Sequence, residues 1–256
     1  MGHDMLDGPI IFACGLIVGS FCNVVIYRLP VGESLITPGS HCRMCSTSIR
    51  PWANIPLLSY CLLGGRCHTC GERISLRYPC LEFGSGVLYV LLWLKWGVSL
   101  PFMIYALLSS ILLVVALIDL DHQIIPNSIT YPGVVVGLAV SFWALPLTPI
   151  LGSRLAASLV GCLVGGIFFY VVAMLSKGGI GGGDIKLMAM IGAFLGGDGA
   201  FFTVLMAALT GSLVGITLIL LGKKGRKDKV PFGPFLACGA IAFTLVGNDL
   251  IDWYVR

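Results

Sequence analysis

Ser99-Leu100-Pro101-Phe102-Met103-Ile104-Tyr105-Ala106-Leu107-Leu108-Ser109-Ser110-Ile111-Leu112-Leu113-Val114-Val115-Ala116-Leu117-Ile118-Asp119 carries no charge until its last residue. A helix of about 20 such residues rises about 30 Å, the thickness of a bilayer's hydrocarbon core. The run over 99–118 is therefore a membrane span, and Asp119 closes it. Comparable windows occur at 9–28, 80–97, 129–147, 153–175, 183–197, 199–222 and 231–250, eight in all. The sixth, 183–197, is short and glycine-rich and holds Lys186. The window 9–28 lies where a signal peptide would, but no basic run precedes it and no small-residue cleavage site follows, so it reads as a retained helix.

The whole composition agrees. Hydrophobic residues make up 57%, charged residues 11%, and the mean hydropathy is +0.96. A soluble globular chain carries roughly a quarter charged residues. The 16 basic and 12 acidic residues here cannot hydrate a 256-residue globule. The same figures exclude a disordered chain, a small disulfide scaffold and a nucleic-acid binder driven by phosphate contacts. The expectation is an all-α polytopic membrane protein of about eight transmembrane helices.

Basic residues orient the bundle, because Lys and Arg accumulate on the cytoplasmic side. With eight spans, Arg28, Arg43, Arg50, Arg66, Arg73, Arg77, Lys177, Lys186, Lys223, Lys224, Arg226, Lys227 and Lys229 share one face. Only Lys95, Arg154 and Arg256 lie on the other. The first face is then cytoplasmic and both termini are periplasmic. The run 223–229 reads as a solvated loop against anionic lipid. Three regions follow: the first span at 1–30, a cytoplasmic module at 31–79, and a bundle at 80–256. No internal repeat is visible.

The module at 31–79 is too rich in Pro, Gly and Cys for one long helix. It contains Cys42-x2-Cys45 and Cys67-x2-Cys70. Two such knuckles put four thiolates into the tetrahedral set that Zn2+ prefers. Two disulfides are the alternative, and a reducing cytoplasm disfavours them. Four sulfurs leave no open position, so the zinc is structural and steadies a loop too small for a core of its own. His41 and His68 stand beside the knuckles, as substitute ligands or as exposed neighbours. Cys14, Cys22, Cys162 and Cys238 read as small core residues within spans.

Two acidic residues need another explanation. Asp119 ends the third span, and Asp184 follows Gly181-Gly182-Gly183 at the start of the sixth. The topology puts both at the same depth on the cytoplasmic edge, although 65 residues separate them. Two adjacent carboxylates cannot both ionise, so together they can act as base and acid on a water molecule. That is the chemistry of peptide hydrolysis without a covalent intermediate. Each also has a plain structural reading: Asp184 as a helix N-cap, Asp119 as a boundary charge. Glycines such as Gly181 and Gly183 let the backbone approach a substrate strand closely. Asp121 falls on another helix face and reads, like His122, as a boundary charge. Lys186 reads as a snorkelling side chain, or as one that orients Asp184 or substrate. A helix start is a positive field suited to a base, which makes Asp184 the base and Asp119 the acid.

These residues resemble a family. Asp119 followed by Ile125-Pro126-Asn127, and Gly181-Gly182-Gly183-Asp184-Ile185-Lys186, are similar to the two signatures of the bacterial type IV prepilin peptidases, GxGD aspartic proteases of the inner membrane. The resemblance extends through Gly19-Ser20-Phe21-Cys22-Asn23 to Arg28, the double CxxC loop with Asn54-Ile55-Pro56, Arg77-Tyr78-Pro79 with Glu82, and Val230-Pro231-Phe232-Gly233-Pro234-Phe235. It covers nearly the whole chain, in order. Arg43 stands where the family often has Pro, and Gly178 where it often has an acidic residue.

The resemblance implies a bifunctional enzyme. It would cut the basic leader from prepilins or type II secretion pseudopilins after a Gly, then N-methylate the new amino terminus with S-adenosylmethionine. Asp119 and Asp184 would be catalytic, and Cys42, Cys45, Cys67 and Cys70 the metal ligands. Gly181, Gly183, Lys186 and Glu82 would support the substrate. No glycine-rich nucleotide fingerprint marks the methyl-donor site. Two rivals remain: a cleaving-only GxGD peptidase, and a transporter with the aspartates as ion ligands. The transporter would need midplane charges and matched halves.

Overall fold

The structure, a computed structural model, describes residues 7–144, 153–175, 181–223, 225, 230–247 and 249–250. The outermost terminal charges (Asp4, Asp252 and Arg256), Lys177, and the basic residues Lys224, Arg226, Lys227 and Lys229 lie outside them, as does Gly178. The described residues are mostly helical and form no strand. Eight α-helices run α1 (Asp7–Arg28), α2 (Leu58–Leu62), α3 (Arg77–Trp96), α4 (Leu100–His122), α5 (Asn127–Ala144), α6 (Arg154–Leu175), α7 (Gly182–Leu220) and α8 (Gly233–Ala242). A π-turn, Phe243–Gly247, continues α8.

These helices fall where the apolar windows predict, with one difference. The windows 183–197 and 199–222 join in the single element α7, whose backbone leaves helical geometry at Gly196 (φ 73°, ψ −174°). That positive φ is strained for any residue with a Cβ and free for glycine. Among the described residues, Asp7–Val31, Leu100–His122, Arg154–Leu175 and Gly182–Leu220 are long and apolar enough to cross a membrane. Of the others, α3 carries Arg77, Glu82 and Lys95, α5 contains Pro132, and α8 is short. Large apolar side chains such as Ile17, Leu163, Ile167 and Leu213 are more than half exposed. Water would not tolerate so much open apolar surface, and lipid does.

The chain divides into two units, Met1–Phe102 and Met103–Arg256. The boundary expected at residue 80 falls inside the first unit, because α3 packs on α1. Gly15 and Gly19 lie directly on Gly86, Ser85 and the backbone of Glu82, with no room for a Cβ. Such small residues let membrane helices approach closely. In the second unit α7 packs against α5, α6 and α8. Leu187, Met188, Met190, Ile191, Ala193 and Phe194 of α7 are fully buried there.

Of the four cysteines expected in cores, only Cys22 is buried. Cys14 and Cys238 are exposed, on helix faces turned away from the protein interior, and Cys162 is half-buried.

Candidate active site and metal centre

The module between α1 and α3 has almost no core. From residue 31 to residue 78 only Gly65 is buried. Its order comes from polar contacts and from the cysteines. Arg28, 5% exposed, donates through Nη1 to Ser34 O (3.0 Å) and through Nη2 to Gly39 O (3.1 Å). The Arg43 guanidinium lies 3.6 Å over the Tyr27 ring. Glu82, on α3, accepts the Leu57 N–H through Oε2 at 2.9 Å. Leu57 has a φ of 58°, a strained value for a leucine, and the Glu82 contact holds it there.

The two knuckles are copies of one another at an offset of 25 residues. Cys42 N–H donates to Thr47 O, and Cys67 N–H donates to Glu72 O. Antiparallel bridges, His41 with Ser48 and Arg66 with Arg73, close them identically. Ser46 and Gly71 both take a positive φ, 53° and 72°, after the second cysteine. This short repeat is faint in the sequence because only the cysteines, the closing isoleucines Ile49 and Ile74, and the preceding Gly39 and Gly64 coincide.

The four sulfurs of Cys42, Cys45, Cys67 and Cys70 lie within 4.8 Å of one another. Cys42 Sγ and Cys70 Sγ are 3.8 Å apart. A tetrahedral zinc with bonds of about 2.3 Å separates its sulfurs by about 3.8 Å, so the spacing fits. A disulfide would need about 2.05 Å, and all ten cysteines are free thiols. The Thr47 hydroxyl and amide bring the Cys45 thiol down to about 6. Against the Glu72 amide, which pulls it down, desolvation and the neighbouring sulfurs push Cys70 up to about 12. Four such thiols ionise together only around a cation. The histidines are engaged elsewhere: His41 Nδ1 with Gly39 O (3.0 Å), His68 Nε2 with the Thr69 hydroxyl (3.2 Å).

In the second unit, Asp119 and Asp184 come together. Both are buried, at 6% and 8% exposure, and close enough for their charges to interact. Asp119 sits in the last turn of α4. Its Oδ2 accepts the Gly233 N–H at 2.9 Å. Asp184 is the third residue of α7, and Gly181 is the N-cap. Asp184 therefore does not cap the helix itself. Its Oδ2 accepts the Gly181 N–H at 3.3 Å, the returning half of a capping box. Each carboxyl thus has one oxygen tied to a backbone amide beside a helix start. The field that singled out Asp184 as the base acts on Asp119 as well, and that division of roles loses its ground.

The supporting residues separate. Gly183 packs on Ile125, whose Cβ would lie 2.9 Å from any Cβ at position 183. Lys186 reaches α5: its Nζ donates to Asn127 Oδ1 at 2.8 Å and lies 5.3 Å from the Tyr131 ring centroid. Glu82 lies in the first unit, among Leu57 and Ser20. Asp121 and His122 are exposed, unlike Asp119. Gly233 is the residue whose role sequence reasoning missed. The motif around it was visible, but nothing in it pointed to Asp119.

Residues 13–96 match the bacterial peptidase A24 N-terminal domain, and residues 106–216 match the type IV leader peptidase family. A Bacillus subtilis (strain 168) protein named prepilin leader peptidase/N-methyltransferase is 34% identical over 247 residues, covering 96% of this chain and 97% of its own length. Proteins of that name from Pseudomonas putida (34% identical, 92% of this chain, 89% of theirs) and Myxococcus xanthus (37% identical, 90% of this chain, 70% of theirs) are similar. No solved structure matches. With both of its regions matched in order, and relatives aligned along nearly its full length, the chain belongs to the type IV leader peptidase family.

Proposed function

We propose that this chain cleaves the leader peptide from type IV prepilins or type II secretion pseudopilins and then N-methylates the new amino terminus. The observation that carries the peptidase reading is that Asp119 and Asp184 are both buried, lie close enough for their charges to interact, and each have Oδ2 held by an amide. One carboxylate takes a proton from water as that water attacks the scissile carbonyl. The protonated partner hydrogen-bonds the developing oxyanion and then passes its proton to the leaving amine. Burial excludes competing water and strengthens each of these contacts.

We assign Cys42, Cys45, Cys67 and Cys70 to one Zn2+, which supplies a cross-link in place of a core. For the second activity the methyl donor is S-adenosylmethionine, whose sulfonium supplies the methyl group. The relatives named above as N-methyltransferases support this over a cleaving-only enzyme. A cavity of about 540 Å3 in the first unit, lined by Ser20, Arg28 and Asn54 among apolar side chains, is large enough for such a donor.

The chain sits in the bacterial inner membrane with eight spans, termini periplasmic and the region 31–79 cytoplasmic between the first span and α3, with the peptidase bundle in the second unit. The asymmetry of Lys and Arg supports this orientation, and the break at Gly196 supports counting α7 as two spans. Purified enzyme incubated with a prepilin and labelled S-adenosylmethionine should yield a shortened, labelled product. Shortening without label leaves the peptidase alone. Absence of both shortening and label would overturn the proposal.

A further inference from the structure

We propose that Gly233 is a positioning residue for Asp119, and that the start of α8 fixes which oxygen of that carboxyl is offered to the reaction. The inference rests on the peptidase reading above. Asp119 lies at the C-terminal end of α4, the end of a helix that repels a negative charge. The start of α8 supplies the opposite field, and only one N–H there is available for it. Pro234 has no N–H, while Phe235 N–H and Leu236 N–H both donate to Phe232 O (3.1 and 3.2 Å). The remaining first-turn donor, Gly233 N–H, points at Asp119 Oδ2 from 2.9 Å.

A side chain at position 233 would force the Asp119 carboxyl to move. A Cβ there would lie 2.7 Å from Asp119 Oδ2 and 3.2 Å from its Cγ. The amide is itself wedged in place. The Phe232 ring, at the N-cap of α8, lies 6.2 Å from the Phe169 ring of α6 and 6.2 Å from the Phe235 ring, and Gly211 of α7 faces both Phe232 and Phe235. Phe-Gly-Pro-Phe is thus a device: aromatics anchor the helix start, proline removes a rival donor, and glycine brings the last donor onto the carboxyl. With Oδ2 held, Oδ1 is the oxygen left for water and substrate.

The test is cleavage kinetics on the full-length enzyme in detergent, with a prepilin as substrate and methylation of an already trimmed pilin as the internal control. Gly233→Ala should lower kcat about 100-fold, the scale of a misplaced catalytic group. KM, thermal stability and methylation should stay within about twofold of wild type, because the substrate's binding surface is untouched. Phe232→Leu keeps every backbone donor but loosens the wedge, and should lower kcat roughly tenfold with KM unchanged. It decides the matter should the alanine variant not fold. Loss of kcat, KM and stability together would make Gly233 a packing residue and overturn the proposal, as would unchanged kcat in Phe232→Leu. Wild type and Asp119→Asn run beside them: if the wild type cuts no prepilin, the peptidase reading itself fails, separately from this inference.

Discussion

Cys42 and Cys67 are equivalent residues: each opens a knuckle in which its N–H binds the carbonyl five residues on, Thr47 O for one and Glu72 O for the other. Two copies of one turn, facing each other, bring four sulfurs to zinc-like spacing without a hydrophobic core behind them. Metal analysis of protein purified without added zinc should therefore give about one equivalent per chain. Cys45→Ser or Cys67→Ser should lose that metal and open the 31–79 region to limited proteolysis. Peptide mapping that found two disulfides and no metal would refute the assignment.

Asn is nearly isosteric with Asp and cannot exchange the catalytic proton. Asp119→Asn and Asp184→Asn should each reduce prepilin cleavage about 1,000-fold or more. Metal content should be unchanged, and methylation of a trimmed pilin should persist. Asp121→Asn, altering an exposed neighbour, should stay within about tenfold of wild type. A single Asn variant at 119 or 184 with near wild-type rate would end the aspartyl mechanism.

The three glycines before Asp184 are not equivalent. A Cβ at Gly182 meets nothing within 4 Å, whereas one at Gly183 lies 2.9 Å from Ile125 Cβ. Gly182→Ala should retain activity. Gly183→Ala should displace the start of α7 and lose about 100-fold in rate, and Ile125→Gly, by removing the Cβ it meets, should restore much of it. Equal behaviour of the two alanine variants would count against this packing account.

Lys186 is engaged with Asn127 rather than with the carboxyl two residues before it. Lys186→Met should cost about 1 kcal/mol or less in stability, the scale of an exposed polar contact. Cleavage should fall by less than about tenfold, and Asn127→Ala should have a similar effect. If Lys186→Met were as inactive as Asp184→Asn, the lysine would have to act on the reaction directly.

Residue chemistry alone determined the class of this protein and marked most of its candidate site. Uncharged runs such as 99–118 specify membrane helices, since each buried backbone donor must be paired within its own segment. The paired CxxC spacing specified the sulfur set, and the glycines before Asp184 marked it out. These signals are local, carried by neighbours in sequence. What only the tertiary structure decided is long-range: that α3 belongs with α1, that Lys186 ties α7 to α5, and that Gly233 comes from 114 residues away to hold Asp119. The break at Gly196 was equally hidden, because a glycine among glycines does not announce which one takes the positive φ. The division of labour between the aspartates shows the same limit. A helix start is legible in sequence for Asp184, which lies on it, and illegible for Asp119, which meets one belonging to another helix. A backbone amide leaves no mark in the residue code, so a site built from amides is settled only by how the helices pack.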